Sequence, residues 1–180
     1  MKLKLSLFFY MICLLTHGQV IPKDSLTGKY KYEKVVQIQG LNQTEIYARA
    51  KDWIVRTLKS SDNAVNLDDS NKSSINATGN ILLNDHYRLK NVTLNFKFNV
   101  YCKEGKYKVI IDNFILSYYY ISVGDGSRMP RATSLEDGFK NEYLFNGRKE
   151  TDKMYIEVNE KMKKIITELE SAINTNQGSW

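Results

Sequence analysis

Between residues 92 and 100 every second position is apolar. Val92, Leu94, Phe96, Phe98 and Val100 alternate with Thr93, Asn95, Lys97, Asn99 and Tyr101. Alternation of this length predicts a strand with one face in a core and one in water, hence an antiparallel sheet. A Glu104-Gly105 hairpin turn follows, and Tyr107, Val109 and Ile111 continue the alternation. The phase then slips, because Phe114, Leu116, Tyr118 and Tyr120 form the next set. One inserted residue produces such a slip, so the spacing predicts a bulge near Asp112-Asn113. Upstream, Tyr30, Tyr32, Val36 and Ile38 read as a first strand that Gly40 ends. Val65 and Leu67, then Ile75, Ala77, Gly79 and Ile81, flank the turn-forming run Asp68-Asp69-Ser70-Asn71 and read as a hairpin. Residues 84–91 are polar and read as a loop.

Two stretches change period. Ile46, Tyr47, Ala50, Trp53, Ile54 and Leu58 fall on one helical face. Asn42 and Glu45 have capping-box spacing at its start, with Leu41 and Ile46 at the staple positions. Glu45 with Arg49, and Asp52 with Arg56, place an acid four residues before a base, each pair adding roughly 0.2–0.5 kcal/mol. The second helix carries Tyr155, Val158, Met162, Ile165, Leu169 and Ile173, with Thr151 or Asp152 as its cap. Residues 121–150 keep no period and contain Gly124, Gly126, Pro130, Gly138 and Gly147. They read as a long connection, functional or disordered. The order is strand, helix, four strands, helix. This is an α+β class chain, in which one antiparallel sheet with two helices on its buried face satisfies every apolar stripe.

The amino terminus bears on where such a domain works. Lys2 and Lys4 precede an apolar run from Leu5 to Leu15 broken only by Ser6, and Thr16-His17-Gly18 sets small residues before a cut ahead of Gln19. Residues 1–18 read as a secretory signal peptide, too short to span a bilayer as a mature helix. Tyr10-Met11-Ile12 lacks the small residue expected beside a lipidated cysteine, so Cys13 marks an ordinary signal. The mature chain is expected in the periplasm or outside the cell, away from genomic DNA and cytosolic nucleotides. Residues 19–28 read as a tether, 29–174 as a single domain and 175–180 as a frayed tail. Asp24-Ser25-Leu26 in the tether resembles a bacterial O-glycosylation site. No second segment of membrane-spanning length follows.

Removing the signal leaves 162 residues, one domain's worth of chain, and lowers the formal charge from +6 to +4. The basic residues are interleaved with acids, which reads as an ordinary solvated surface. One cysteine remains, Cys102, so no intramolecular disulfide forms. Its place in the alternation makes it a half-buried strand residue.

Several words along the chain resemble a known family. They are Val35-Val36 ahead of Gly40, Tyr47-Ala48-Arg49-Ala50-Lys51-Asp52-Trp53, Leu58-Lys59-Ser60-Ser61 and Asn66-Leu67-Asp68-Asp69. Ile75 through Gly79, Gly105-Lys106-Tyr107, Asn113-Phe114 and Ser134-Leu135-Glu136 follow. The resemblance is to secreted bacterial domains of unknown function with a TATA-binding-protein-like (TBP-like) fold, found mainly in Gram-negative gut-type bacteria. It spans residues 26–173 and is weakest over 80–91 and 121–133. It implies a curved antiparallel sheet with two helices on one face. It implies no activity and carries no catalytic residues.

The candidate chemistry is sparse. His86 is the only histidine of the mature chain and lies in a polar loop, where it reads as a surface residue. With a single cysteine beside it, no zinc ligand set forms, and Asp68-Asp69 lacks the spacing and closing Glu of a calcium loop. No Gly-x-Ser-x-Gly elbow is present. Gly124-Asp125-Gly126-Ser127 leads into no helical pattern, so it reads as a turn and not a phosphate cradle. A glycosidase-like hydrolase needs two acids across a cleft, and Asp112, Asp125, Glu136 and Asp137 offer them by composition alone. No cofactor, metal or catalytic set is expected. The surface candidate is Tyr118-Tyr119-Tyr120 with Arg128 and Arg131, since exposed tyrosines anchor protein partners or stack on sugars. The expectation is a non-enzymatic binding module with a protein partner; the alternative is a small-ligand or glycan binder using the same tyrosines.

Overall fold

A computed structural model describes residues 21–58, 65–69, 73–140 and 147–175. The signal-peptide reading and residues 176–180 of the expected tail lie outside them. In chain order the elements are β1 (Tyr32–Gln37), α1 (Gln43–Thr57), β2 (Val65–Asp69), β3 (Ser74–Leu82), β4 (Leu89–Lys103), β5 (Lys106–Ile121), β6 (Arg128–Ser134), α2 (Leu135–Lys140) and α3 (Arg148–Asn174). All strand pairs are antiparallel, in the order β1-β5-β4-β3-β2, with β6 also on β5. β1 takes the first half of β5, from Lys106 to Ile111, and β6 the second, from Ile115 to Ile121. The sheet is unclosed.

The core lies between the sheet and its helices. Tyr32, Val36, Phe96, Phe98, Tyr107, Val109, Ile111 and Phe114 meet Ile46, Ala50 and Ile54 of α1 and Met154, Val158, Met162 and Leu169 of α3. Trp53 of α1 lies 5.8 Å from the Phe98 ring, and the Tyr32 hydroxyl donates to buried Asn159 Oδ1 of α3 at 2.9 Å. Gly138 of α2 sits over Leu116. All three described helices therefore cover one face of the sheet.

The predicted bulge is present. Lys97 faces Asp112 and Asn95 faces Ile115, so Asn113 and Phe114 together oppose Phe96. Asn113 adopts the left-handed conformation, φ 53°, that asparagine tolerates better than most residues. A second bulge, which the alternation did not announce, lies between Lys90 and Thr93 of β4, with Asn91 at φ 52°. The capping box also forms, with Asn42 and Glu45 exchanging side-chain-to-backbone bonds. Asp52 pairs with Arg56 as the spacing predicts. Arg49 reaches across to the carbonyls of Ile173, at 2.8 Å, and Thr175, at 3.2 Å. It thereby satisfies carbonyls that the end of α3 leaves without intrahelical donors.

Several expectations are corrected. Residues 121–150 contain β6 and α2; β6 shows no apolar alternation because it is a mostly exposed edge strand held by β5. α3 starts at Arg148 with Gly147 as N-cap, so Thr151 lies in the first turn and Asp152 beyond it. The expected tether is docked from Ile21 onward. Ile21 is fully buried, its N–H donates to the Tyr155 hydroxyl at 2.5 Å, and Lys23 pairs with Tyr30. Cys102 is buried, not half-buried. His86 is only 6% exposed. Its loop folds down onto α3, where Glu157 Oε2 lies 3.3 Å from His86 Nε2 and the Glu157 carboxylate accepts the Asn84 N–H at 3.0 Å.

Candidate functional site

The structure divides the predicted surface cluster between the two sides of the sheet. The alternation that runs through Phe114 and Leu116 carries Tyr118 into the core, where it is 7% exposed and burial raises its phenol pKa. Tyr120, on the same face, is half-buried, and its hydroxyl accepts from Arg88 Nη1 at 3.1 Å. Arg131 stands opposite Tyr118 on that helix side. Tyr119 is 42% exposed on the opposite face, across from Pro130 and Lys90. Arg128, exposed and paired with Ile121, shares that face. Of the five residues, Tyr119 and Arg128 therefore lie on the uncovered side, while Tyr118, Tyr120 and Arg131 do not.

The face that no described helix covers is the larger feature. On β4 it presents Thr93, Asn95, Lys97, Asn99, Tyr101 and Lys103, the positions that alternate with the core residues. Asn99 stands opposite Asn76, and Asn95 opposite Asn80. Asn95 Nδ2 donates to Ser117 Oγ at 3.0 Å. On β5 the face continues as Lys106, Lys108, Ile110, Ile115, Ser117 and Tyr119. Sequence reasoning singled out the tyrosine run and passed over this set. The signal was the polar half of the same alternation.

A notch interrupts the sheet edge between the start of β1, opposite Ile111, and the end of β6, opposite Ile115. Asn113, Ile115, Ser134, Glu136, Tyr30 and Lys29 line a cleft of about 560 Å³ there. An adjoining cleft of about 510 Å³ opens toward Lys97, Asn99 and Asp112. Two of the candidate hydrolytic acids border the first cleft, yet each has a structural partner. Glu136 Oε1 accepts the Tyr30 N–H at 2.7 Å, and Asp137 takes the Ser134 hydroxyl at 2.7 Å. That hydroxyl, with Lys140 nearby, lowers the Asp137 pKa. Asp125 is exposed in its turn, held ionised by the Ser127 N–H and outside both clefts. A general acid needs a raised pKa, the opposite of what Asp125 and Asp137 show. Among the described residues no group of three or more His, Cys, Asp or Glu side chains is placed to hold a metal ion. None of the described helices is long and apolar enough to cross a membrane.

Residues 32–117 match the family described as a domain of unknown function (DUF4468) with TBP-like fold. Two solved structures share the architecture. One is a TBP-like protein from Parabacteroides distasonis ATCC 8503, 18% identical, with TM-score 0.64 over 85% of this chain and 96% of that one. The other is a DUF4468 family protein from Bacteroides ovatus ATCC 8483, 19% identical, with TM-score 0.64 over 91% of this chain and 95% of its own. No curated protein matches the chain.

Proposed function

We propose that this chain, whose residues 32–117 match the DUF4468 family of TBP-like fold, is a non-enzymatic binding module of the periplasm or cell exterior. Its ligand lies across the open face of the sheet. The observation that carries this reading is the one-sidedness of the fold. Every described helix packs on one face, and the other presents Tyr101, Tyr119, paired asparagines and lysines over the length of β4 and β5.

The sequence favoured a protein partner. A protein interface concentrates apolar and aromatic anchors at its centre. Here Asn76, Asn80, Asn95, Asn99 and Lys97 share the centre with Ile110 and Ile115, while exposed Val35 and Leu82 sit at the rim. Side-chain amides both donate and accept, as the hydroxyls of a sugar require. That supports a glycan as the ligand.

The test is crosslinking capture from the native envelope fraction with the chain from Gln19 as bait. One variant carries Asn95→Ala, Asn99→Ala and Tyr119→Ala; a control carries Glu160→Ala and Lys164→Ala on α3. Capture abolished by the first set and kept by the control is the expected result. Capture that survives the first set, or is lost with the control, would contradict it.

A further inference from the structure

The hairpin end of the open face carries a charge arrangement that the fold does not explain. Lys103 and Lys106 stand directly opposite each other on β4 and β5, and Lys106 also faces Gln37 of β1. Like charges opposed across strands destabilise a sheet pair. No carboxylate forms an ion pair with either lysine among the described residues. Glu104, in the turn between them, accepts the Gln43 N–H of α1 at 3.2 Å instead. Lys108 stands opposite Tyr101 and Val35, with its Nζ 5.6 Å from the centre of the Tyr101 ring. Its nearest carboxylate, Glu33 at 3.6 Å, is shared with Lys31 at 2.6 Å. Val35, Tyr101, Lys103, Lys106, Tyr107 and Lys108 line a shallow cavity of about 340 Å³. An anion seated there would relieve the repulsion.

The rest of the face extends from this cationic end. Tyr101 is followed along β4 by Asn99, Lys97 and Asn95, and the path ends where Lys90 meets Tyr119. At a strand rise of about 3.3 Å per residue, that path is about 35 Å long, suited to an extended polymer. The polymer is not densely charged, because Glu33 and Asp112 stand on the same face. A nucleic acid, with a phosphate on every residue of its backbone, would bring charge against both.

We propose that the open face binds an acidic polysaccharide, with anionic groups at Lys103, Lys106 and Lys108 and sugar rings along Tyr101 and the asparagine pairs. This rests on the open-face reading above and adds the chemical class of the ligand.

The experiment titrates the chain from Gln19 with hyaluronan and unsulfated chondroitin, which carry one carboxylate on every second sugar, and with fully methyl-esterified hyaluronan, poly-glutamate and single-stranded DNA at low and high salt. The expected result is binding to at least one acidic polysaccharide, none to the methyl ester and weakening as salt rises. The Lys103→Gln/Lys106→Gln variant should bind at least tenfold more weakly and Tyr101→Ala severalfold more weakly. Lys163→Gln/Lys164→Gln on α3 should bind unchanged, and circular dichroism confirms that each variant is folded. Three outcomes overturn the proposal: no binding to either acidic polysaccharide, equal affinity for poly-glutamate or DNA, or equal loss in the α3 variant. If the polysaccharides fail while capture from the envelope still depends on Asn95, Asn99 and Tyr119, the ligand class falls and the open-face reading stands.

Discussion

Gly79 of β3 and Phe96 of β4 face each other across the sheet, and the Phe96 ring fills the space a side chain at 79 would occupy. A Cβ on Gly79 would lie 2.5 Å from Phe96 Cε2 and 3.3 Å from Leu58 Cδ2. Phe96 is 1% exposed and cannot swing away. Alanine in a strand interior ordinarily improves on glycine by roughly 0.5–1 kcal/mol. Here the sign should reverse: Gly79→Ala should cost about 1–3 kcal/mol through overpacking. Urea unfolding measures it, and adding Phe96→Leu should recover part of the loss.

The amino-terminal arm should behave as part of the core. Ile21→Ala should cost about 2–4 kcal/mol, as a buried truncation does. Leu26, five residues on, is 94% exposed. Leu26→Ala should stay within about 0.5 kcal/mol of the parent chain. Equal effects in thermal melts would show that the arm is undocked in solution.

His86 and Glu157 fasten the β3–β4 loop to α3. His86→Ala should cost about 1–3 kcal/mol, the range for leaving a buried hydrogen-bond partner unsatisfied. Glu157→Ala should cost more, because Asn84 N–H loses its acceptor as well. Hydrogen exchange should accelerate first at the amides of Asn84 and His86.

High pH should destabilise the fold through its buried phenols. Burial, with Tyr155 and Glu136 adding to it, pushes the Tyr30 pKa up to about 12, and burial raises Tyr32 and Tyr107 as well. Their folded-state pKa values lie above the unfolded value near 10, so above pH 10 the unfolded chain releases protons that the folded chain keeps. Stability from these groups is therefore intact below pH 10 and falls as pH rises through the folded values. Urea midpoints taken from pH 8 to 11 should be flat and then drop. Burial also raises the Cys102 thiol pKa to about 11, which leaves a thiolate fraction on the order of one in a thousand at pH 8. A thiol reagent should label Cys102 only after denaturation.

Much of this was legible in the chain. The slip between Ile111 and Phe114 located the bulge at Asn113, and Asn42 with Glu45 located the start of α1. Both signals are local, and local geometry decided them. β6 was not legible, because Arg128 to Ser134 is a strand only by virtue of β5 beside it. His86 and Ile21 were misread for a similar reason. A polar loop and a proline-bearing arm look solvated until α3 supplies Glu157 and Tyr155. The candidate site was half legible. Alternation placed Tyr118 with the core set, but the value of Asn95, Asn99 and Tyr101 emerged only once β3 and β5 set their partners beside them.

The most direct test places a photo-crosslinking amino acid at Tyr101 or Tyr119 on the open face, and at Glu160 or Lys164 on α3, in cells that make the protein. The account predicts adducts from positions 101 and 119 and none from 160 or 164. Adducts from the α3 positions alone, or from none of the four, would contradict it.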